Sequence, residues 1–408
     1  MNWRAPAGSF GRIGVGVLGC SRRLRRVPAA LPVKLLAPQQ LQRLTSHLAR
    51  RLEATLADGG LQDATGKSVA AAIARYVDAG GKRIRPQLCW WTFDQCRGDG
   101  DAAPESAVLD AACAWEIFHA FLLIHDDIID ASDTRRGRPS LHRELAGLDH
   151  DSPVFGTNLG IVAGDLLFAA SMRLWNDVAR SLAPEAMARQ TAAFDVFSRV
   201  ALETGAGQAA DITQAHAPLP DVTEDQVLAG YAAKTAAYTF EGPMLTGAIL
   251  AGIGDDTRGR LSRFATALGQ AYQLQNDLID LAAPVAEGSD VTQGKRTLTL
   301  VRGRDLCGRA GGADAFTDDV RDVATLAGSD RLAAATRLRQ RLFDSGAVES
   351  TRQCICDLLD TARAQCDGDG LPGTLRVGLN GILDALEASY FSDVECPSPQ
   401  AASSHAGS

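Results

Sequence analysis

One stretch, Glu116 to His142 (EIFHAFLLIHDDIIDASDTRRGRPSLH), constrains the fold more than any other part of the 408-residue chain. Phe121, Leu122, Leu123 and Ile124 are too apolar for a solvated helix face, and they run straight into Asp126, Asp127 and Asp130. Residues three and four apart are neighbours on a helix, so these carboxylates crowd one sector of the surface. Such crowding is repulsive unless a cation sits there. Oxygen ligands without cysteine or a coordinating histidine pair favour magnesium, which takes one or two carboxylates, several waters and the phosphate oxygens of a substrate. Arg135-Arg136-Gly137, one loop further on, adds fixed cations, and the expected ligand is a polyanion. A solvated acidic helix end is the alternative for an isolated DDxxD; the apolar flank argues against it.

Apolar residues recur at helical spacing along most of the chain, while strand-like alternation is nearly absent and no tandem repeat is found. Leu41, Leu44, Leu48, Leu52 and Leu56 mark an amphipathic helix that begins near Pro38, with Arg50 and Arg51 outside. Further helices are expected over about 68–78, 107–130, 156–175, 185–210 and 264–281, and the expected fold is all-α. The last of these carries Tyr272-Gln273-Leu274-Gln275-Asn276-Asp277-Leu278-Ile279-Asp280, a second acidic helix end behind an apolar segment. Two such ends can face each other across a bundle and bracket one metal–diphosphate cluster.

An acidic chain, net charge −8, must hold anions with local cations and metal, so nucleic acid is not an expected partner. The nine cysteines, Cys89, Cys113, Cys307 and Cys354 among them, form no CxxC and no Cys/His set, which suggests buried thiols in a reducing, cytoplasmic setting. Asp165 interrupts the longest apolar run, Val154 to Trp175, and no membrane-spanning segment is expected. The acid-free, arginine-rich segment over 1–37 reads as a disordered basic tail, and the polar residues over 391–408 as a second tail. Val17-Leu18-Gly19-Cys20 is similar to a lipoprotein cleavage site, but the apolar segment before it is too short for an export signal.

The few lysines fall at suggestive places. Lys82 lies in Gly80-Gly81-Lys82-Arg83-Ile84-Arg85-Pro86, where a glycine turn and a helix start make either a diphosphate cradle or a plain helix connector. Lys234-Thr235 sits amid alanine and aromatic residues, where an ammonium group must find an anion. Asp290 and Gly294-Lys295-Arg296-Thr297 close the side of the second acidic end. Gly207-Gln208 and Asp211 bring polar groups to an otherwise apolar helix, as a kink or a functional site.

In their order, GGKRIRP, E..H......DDIID....RRGRPSLH, GQAAD, KTAAYTF, YQLQNDLID and GKRTL make the chain resemble the polyprenyl synthetase family of trans-isoprenyl diphosphate synthases, from about Leu41 to Ser389. The resemblance implies a single domain over 38–390, a bundle of long helices around a deep central cavity, and a homodimer. It implies magnesium held by Asp126, Asp127, Asp130 and by Asn276, Asp277, Asp280, and head-to-tail condensation of isopentenyl diphosphate with allylic prenyl diphosphates. Lys82, Arg85, His119 and Arg136 match positions that bind isopentenyl diphosphate. Arg135, Lys234, Thr235, Gln273 and Lys295 match positions that contact the allylic diphosphate or steady the cation. His119 and His125 are open to a second reading as core histidines, which is preferred for His125. Two departures stand out: Asn276 replaces the usual aspartate, and 281–289 lacks the lysine many members carry, so a weaker second metal site is expected.

Phe121, five residues or about 7.5 Å of helix before Asp126, is expected to form the cavity floor, with Leu122 and Leu123 also nominated by helix geometry. An aromatic at this position, with a short DDxxD, resembles synthases that stop at twenty carbons, so geranylgeranyl diphosphate is the expected product. A class I terpene cyclase would want Ser or Thr in place of Asp280, and a non-catalytic partner subunit would not need the intact first motif.

Overall fold

The helix that begins at Pro38 settles on the core through Leu44, Leu48, Leu52 and Leu56, the face marked by the leucine spacing. The structure is a computed structural model and describes residues 34–98, 102–286 and 289–390. The two expected tails, apart from residues 34–37, lie outside the described residues. The helices are α1 (Pro38–Asp58), α2 (Ala64–Asp78), α3 (Ile84–Cys96), α4 (Glu105–Ile129), α5 (Leu141–Ala146), α6 (Pro153–Ser181), α7 (Met187–His216) and α8 (Glu224–Tyr231). They continue with α9 (Gly242–Leu250), α10 (Asp255–Ala282), α11 (Leu298–Arg309), α12 (Ala313–Thr325), α13 (Gly328–Asp344), α14 (Ala347–Ala364) and α15 (Gly373–Tyr390). The expected all-α, single-domain bundle is what forms.

Several helices outrun their apolar patterns because caps extend them. Asp63 accepts from the Gly66 amide at the start of α2, and Ser152 accepts from Phe155 N ahead of Pro153 in α6. The bundle is built around α4, whose residues 107–118 are all buried. A helix apolar on every side belongs at the centre of a core. It packs chiefly on α6 and α3, while α10 packs on α14 and on the segment between α8 and α9. Trp115 of α4 meets Phe197 of α7 with ring centroids 5.0 Å apart and donates its indole N–H to Thr246 Oγ1 at 3.1 Å.

By length and composition alone, α4 and α6 each hold a window apolar enough to cross a bilayer, a test that the core helix of a globular protein also passes. Most of that window in α4 is buried in the core; less than half of it in α6 is.

Two local features depart from plain α-helix. Thr134–Arg135 (β1) pairs antiparallel with Arg138–Pro139 (β2), closed by Arg136 and Gly137 with φ of 55° and 75°. Positive φ at both turn residues is the geometry that suits a two-residue hairpin. The other is Ala232–Glu241, which is π-helical between α8 and α9.

Candidate active site

The acidic end of α4, the π-helical segment and the C-terminal half of α10 line one cavity of about 670 Å³. Asp126 faces it, with its carboxylate near Gln208 Nε2 (3.4 Å), Lys234 Nζ (3.9 Å) and Arg135 Nη2 (3.8 Å). Asp130 caps α4, and burial together with the Asp126 charge raises its pKa above the usual carboxylate range. Asp127 does not join them. It is fully buried, accepts from Arg135 (Nε at 2.7 Å) and from Tyr76 Oη at 3.1 Å, and so braces the arginine hairpin. Adjacent helix positions are about 100° apart, so the three crowded carboxylates separate, with Asp126 at the cavity, Asp130 beside it at the end of α4 and Asp127 behind.

The second acidic end divides in the same way. Tyr272, Gln273 and Asn276 line the cavity, whereas Asp277 turns inward to Tyr231 Oη and to Gln273 Nε2 at 2.8 Å. Burial, then the Asp290 charge, pushes the Asp277 pKa up to about 7. Asp280 accepts from the Asp290 amide at 2.9 Å and lies in a side recess with Lys295. Lys295 pairs with Asp290 at 2.9 Å and reaches the main cavity. Burial opposes its charge, yet Asp290, Asp130 and Asp126 together raise its pKa. Lys234 is likewise raised against burial by Asp211, its ion-pair partner, and by Asp126.

Thr235 Oγ1 donates to Gln273 Oε1 at 3.0 Å, so one relay runs Tyr231, Asp277, Gln273, Thr235 beneath the lysines. The π-helical segment carries Lys234, Thr235, Tyr238 and Thr239 to the cavity wall.

Lys82, Arg85, His119 and Arg136 come together at the same cavity. Gly80 and Gly81 have φ of 89° and 142°, which leaves room for Arg136 to donate to the Gly80 carbonyl. Arg85 stacks on Tyr238, 4.3 Å from the ring centroid, and donates to Thr239 Oγ1 at 2.7 Å. Burial, then Arg85 and Arg136, hold the His119 pKa well below the ordinary imidazole value, and its Nδ1 is buried without a partner.

Phe121, Leu122 and Leu123 also line the cavity. Phe121 rests on His125, Phe168 and Phe118, with centroids 4.8, 5.3 and 5.6 Å away, so rings from α4 and α6 stop the channel. His125 is half-buried and lines the cavity, with Nε2 3.2 Å from the Ile161 carbonyl and 3.9 Å from Asp165 Oδ1, so it is not the enclosed core histidine that the sequence reading prefers.

Several contributors escape a reading of the sequence. Tyr76 and Tyr231 carry no motif signal. Gln208, Asp211 and Asp290 stand in short polar strings whose role the spacing leaves open, and Glu116 opens the E..H run without its partner Arg83 being legible from that run.

Asp126 at the cavity and Asp130 beside it, with the amide side chains of Asn276 and Gln208 in the same lining, offer hard oxygen donors close to Lys234 and Lys295. Among the described residues no three acidic, imidazole or thiol groups form a closed cage. This suits magnesium, which keeps several waters and uses one or two carboxylates plus substrate phosphates. The crowding that raises the Asp130 pKa is what a dication would relieve.

The chain matches the family model described as polyprenyl synthetase over residues 67–311. It is 33% identical over 234 residues to the geranylgeranyl diphosphate synthase of Sulfolobus acidocaldarius, covering 56% of this chain and 64% of that relative, a little under two thirds of its length. It is 32% identical over 342 residues to the geranylfarnesyl diphosphate synthase of Natronomonas pharaonis, covering 78% of this chain and 89% of the relative. Among solved structures, a geranylgeranyl pyrophosphate synthase of Corynebacterium glutamicum, complexed with isoprenyl diphosphate and magnesium, aligns with a TM-score of 0.74. That alignment has 28% identity and covers 85% of this chain and 97% of that one.

Proposed function

Because the chain belongs to the polyprenyl synthetase family, we propose that it is a magnesium-dependent prenyltransferase that joins isopentenyl diphosphate head-to-tail to allylic diphosphates, ending at twenty carbons. One observation carries this reading. A single cavity is lined by two separate sets of cations, by the Asp126 carboxylate and by Phe121, which is backed by Phe168, while Asp130 stands beside it at the end of α4. Two cationic sets suit two diphosphates, and an apolar channel suits a growing hydrocarbon tail.

Lys234, Lys295 and Arg135 bind the allylic diphosphate, with Asp126, Asp130, Asn276 and Gln208 as the residues that would hold magnesium. When bound, the metal supplies Lewis-acid withdrawal of charge from the leaving diphosphate. Asp277 and Asp280 act from behind by fixing Tyr231, Gln273 and the loop at Asp290. Thr235 and Gln273 turn oxygens toward the carbon that becomes positive once the C–O bond breaks. Lys82, Arg85 and Arg136 hold isopentenyl diphosphate, and neutral His119 gives it a hydrogen-bond partner without adding charge. The terminal double bond of isopentenyl diphosphate attacks the allylic carbon, and the released diphosphate takes the proton. Buried free thiols at Cys89, Cys96, Cys113 and Cys366 support a reducing, cytoplasmic setting.

The relatives differ in product name, twenty carbons in one and twenty-five in another. Phe121 across the channel favours twenty. The test is turnover by the purified chain with magnesium, isopentenyl diphosphate and each of the five-, ten- and fifteen-carbon allylic diphosphates, with products dephosphorylated and sized. A dominant twenty-carbon linear alcohol is expected. A fifteen-carbon or much longer product would remove Phe121 as the floor, hydrocarbons would mean a cyclase, and no turnover would make the chain a non-catalytic subunit.

A further inference from the structure

Lys82, Arg83, Arg85 and Arg136 crowd the isopentenyl diphosphate end of the site, where unscreened like charges repel. One of the four, although it also lines the cavity, is already paired. Arg83 has φ of 48°, a left-handed conformation that a non-glycine residue keeps only under constraint. Its side chain turns inward, where Nη1 donates to Glu116 Oε1 at 2.6 Å and Nη2 donates to the Val77 carbonyl.

Both partners are buried, Arg83 at 8% exposure and Glu116 at 3%. Glu116 stands one helical turn before His119 and lines the cavity with Arg136. Its Oε2 is buried without a hydrogen-bond partner. A buried carboxylate with one oxygen unpaired is a poor stabiliser compared with apolar packing, so stability alone does not account for it.

Resting on the prenyl-transfer reading, we propose that Glu116 is the positioning residue of the isopentenyl diphosphate end. Through Arg83 it locks the Gly80–Pro86 turn so that Lys82 and Arg85 face the cavity, and its charge lets the remaining cations sit together before the diphosphate arrives. Glu116 touches neither diphosphate. Its influence falls on one substrate of the two, because the lysines of the allylic end hang on Asp211 and Asp290 instead.

The test is steady-state kinetics with each substrate varied in turn, for Glu116→Gln, Arg83→Met and the two replaced together. Calorimetric titration of isopentenyl diphosphate into each protein gives the affinity directly. Each single variant is expected to raise the KM for isopentenyl diphosphate at least tenfold, with the allylic KM within twofold and kcat within threefold. The double variant is expected to be no worse than the poorer single one, because the two side chains act as a unit. Should a single variant fail to fold, the double variant leaves no buried charge and carries the same substrate-selective test. Equal loss for both substrates, unchanged affinity for isopentenyl diphosphate, or multiplicative effects in the double variant would overturn the proposal. Wild-type protein is run first: failure to consume isopentenyl diphosphate would overturn the prenyl-transfer reading, whereas wild-type turnover with unselective variants would overturn the role of Glu116 alone.

Discussion

On the proposed reading, Phe121 is the one side chain that decides product length. It lines the cavity on one side and leans on Phe118, His125 and Phe168 on the other, so cutting it back extends the channel toward α6. Phe121→Ala is expected to shift the main product beyond twenty carbons, read by chromatography of the dephosphorylated alcohols. The cost in stability should be about 2 kcal/mol, below that of a fully enclosed phenylalanine, because one face already meets the cavity. His119 yields a prediction in pH. Its folded pKa lies well below its unfolded value, chiefly through burial, so the unfolded chain binds the extra proton first as pH falls. Stability from this residue is therefore complete above about pH 6.5 and declines below it, by up to about 1.4 kcal/mol per pH unit for one proton. His119→Asn should flatten that part of the stability–pH curve in denaturant titrations; an identical slope would remove His119 as its source. The sequence marks such residues by type and order, and Asp126, Asp130, Lys82 and Arg85 are legible there. It does not tell Asp126 from Asp127, because a motif carries no helix phase relative to neighbours that arrive from elsewhere. Tyr76, on α2, claims Asp127, and no spacing rule links positions 76 and 127.

At the scale of elements, the π-helical segment Ala232–Glu241 is where helix packing becomes chemistry. Residues in KTAAYTF read as an ordinary apolar helix, and nothing in their own pattern asks for wider hydrogen bonding. Two neighbours press closely on this segment. A Cβ on Gly269 of α10 would stand 2.3 Å from Ala236 Cβ, and one on Gly207 of α7 would stand 2.8 Å from the Lys234 amide nitrogen. Both glycines let adjacent helices press against the segment, and π-helical turns of this kind are frequent at functional sites. Lys234 and Thr235 line the cavity, and Tyr238 and Thr239 hold Arg85 at its wall. Gly269→Ala should force the segment outward, with a loss of about 1–3 kcal/mol in thermal or denaturant unfolding from overpacking. Turnover should fall more than tenfold, with the KM values for both substrates raised. An alanine variant of full activity would show that the close approach at Gly269 does not aim these residues. Helices with caps and leucine spacing, α1 above all, were legible from sequence; this segment was not, because its own residues carry no π-helix signal and its close contacts come from other helices.

For the whole molecule, α6 raises the question of what its apolar outer face is for. Val154, Ile161, Val162 and Phe168 are 70%, 43%, 50% and 38% exposed, and Leu202 on α7 is 77% exposed. Scattered surface leucines need no explanation, but several large apolar side chains on one helix are the composition of a surface suited to being covered. A lipid surface would need the same residues; Asp165, with its side chain 69% exposed on this helix, opposes burial in hydrocarbon and can keep water or a polar partner in a protein interface. The expected cover is a second copy, since an isologous pairing of one helix face with itself is the commonest way for a soluble chain to hide such a surface. Phe168 belongs at once to this face and to the ring stack beneath Phe121, so pairing would also stiffen the floor of the channel. Light scattering is expected to report two chains per particle, and Val162→Asp, which places a charge at the centre of the face, is expected to halve the mass. The same variant should loosen control of product length, yielding longer alcohols beside the twenty-carbon one, because Phe168 loses its outer support. A monomeric wild type, or a monomeric Val162→Asp protein with unchanged product length, would separate the outer face of α6 from the floor.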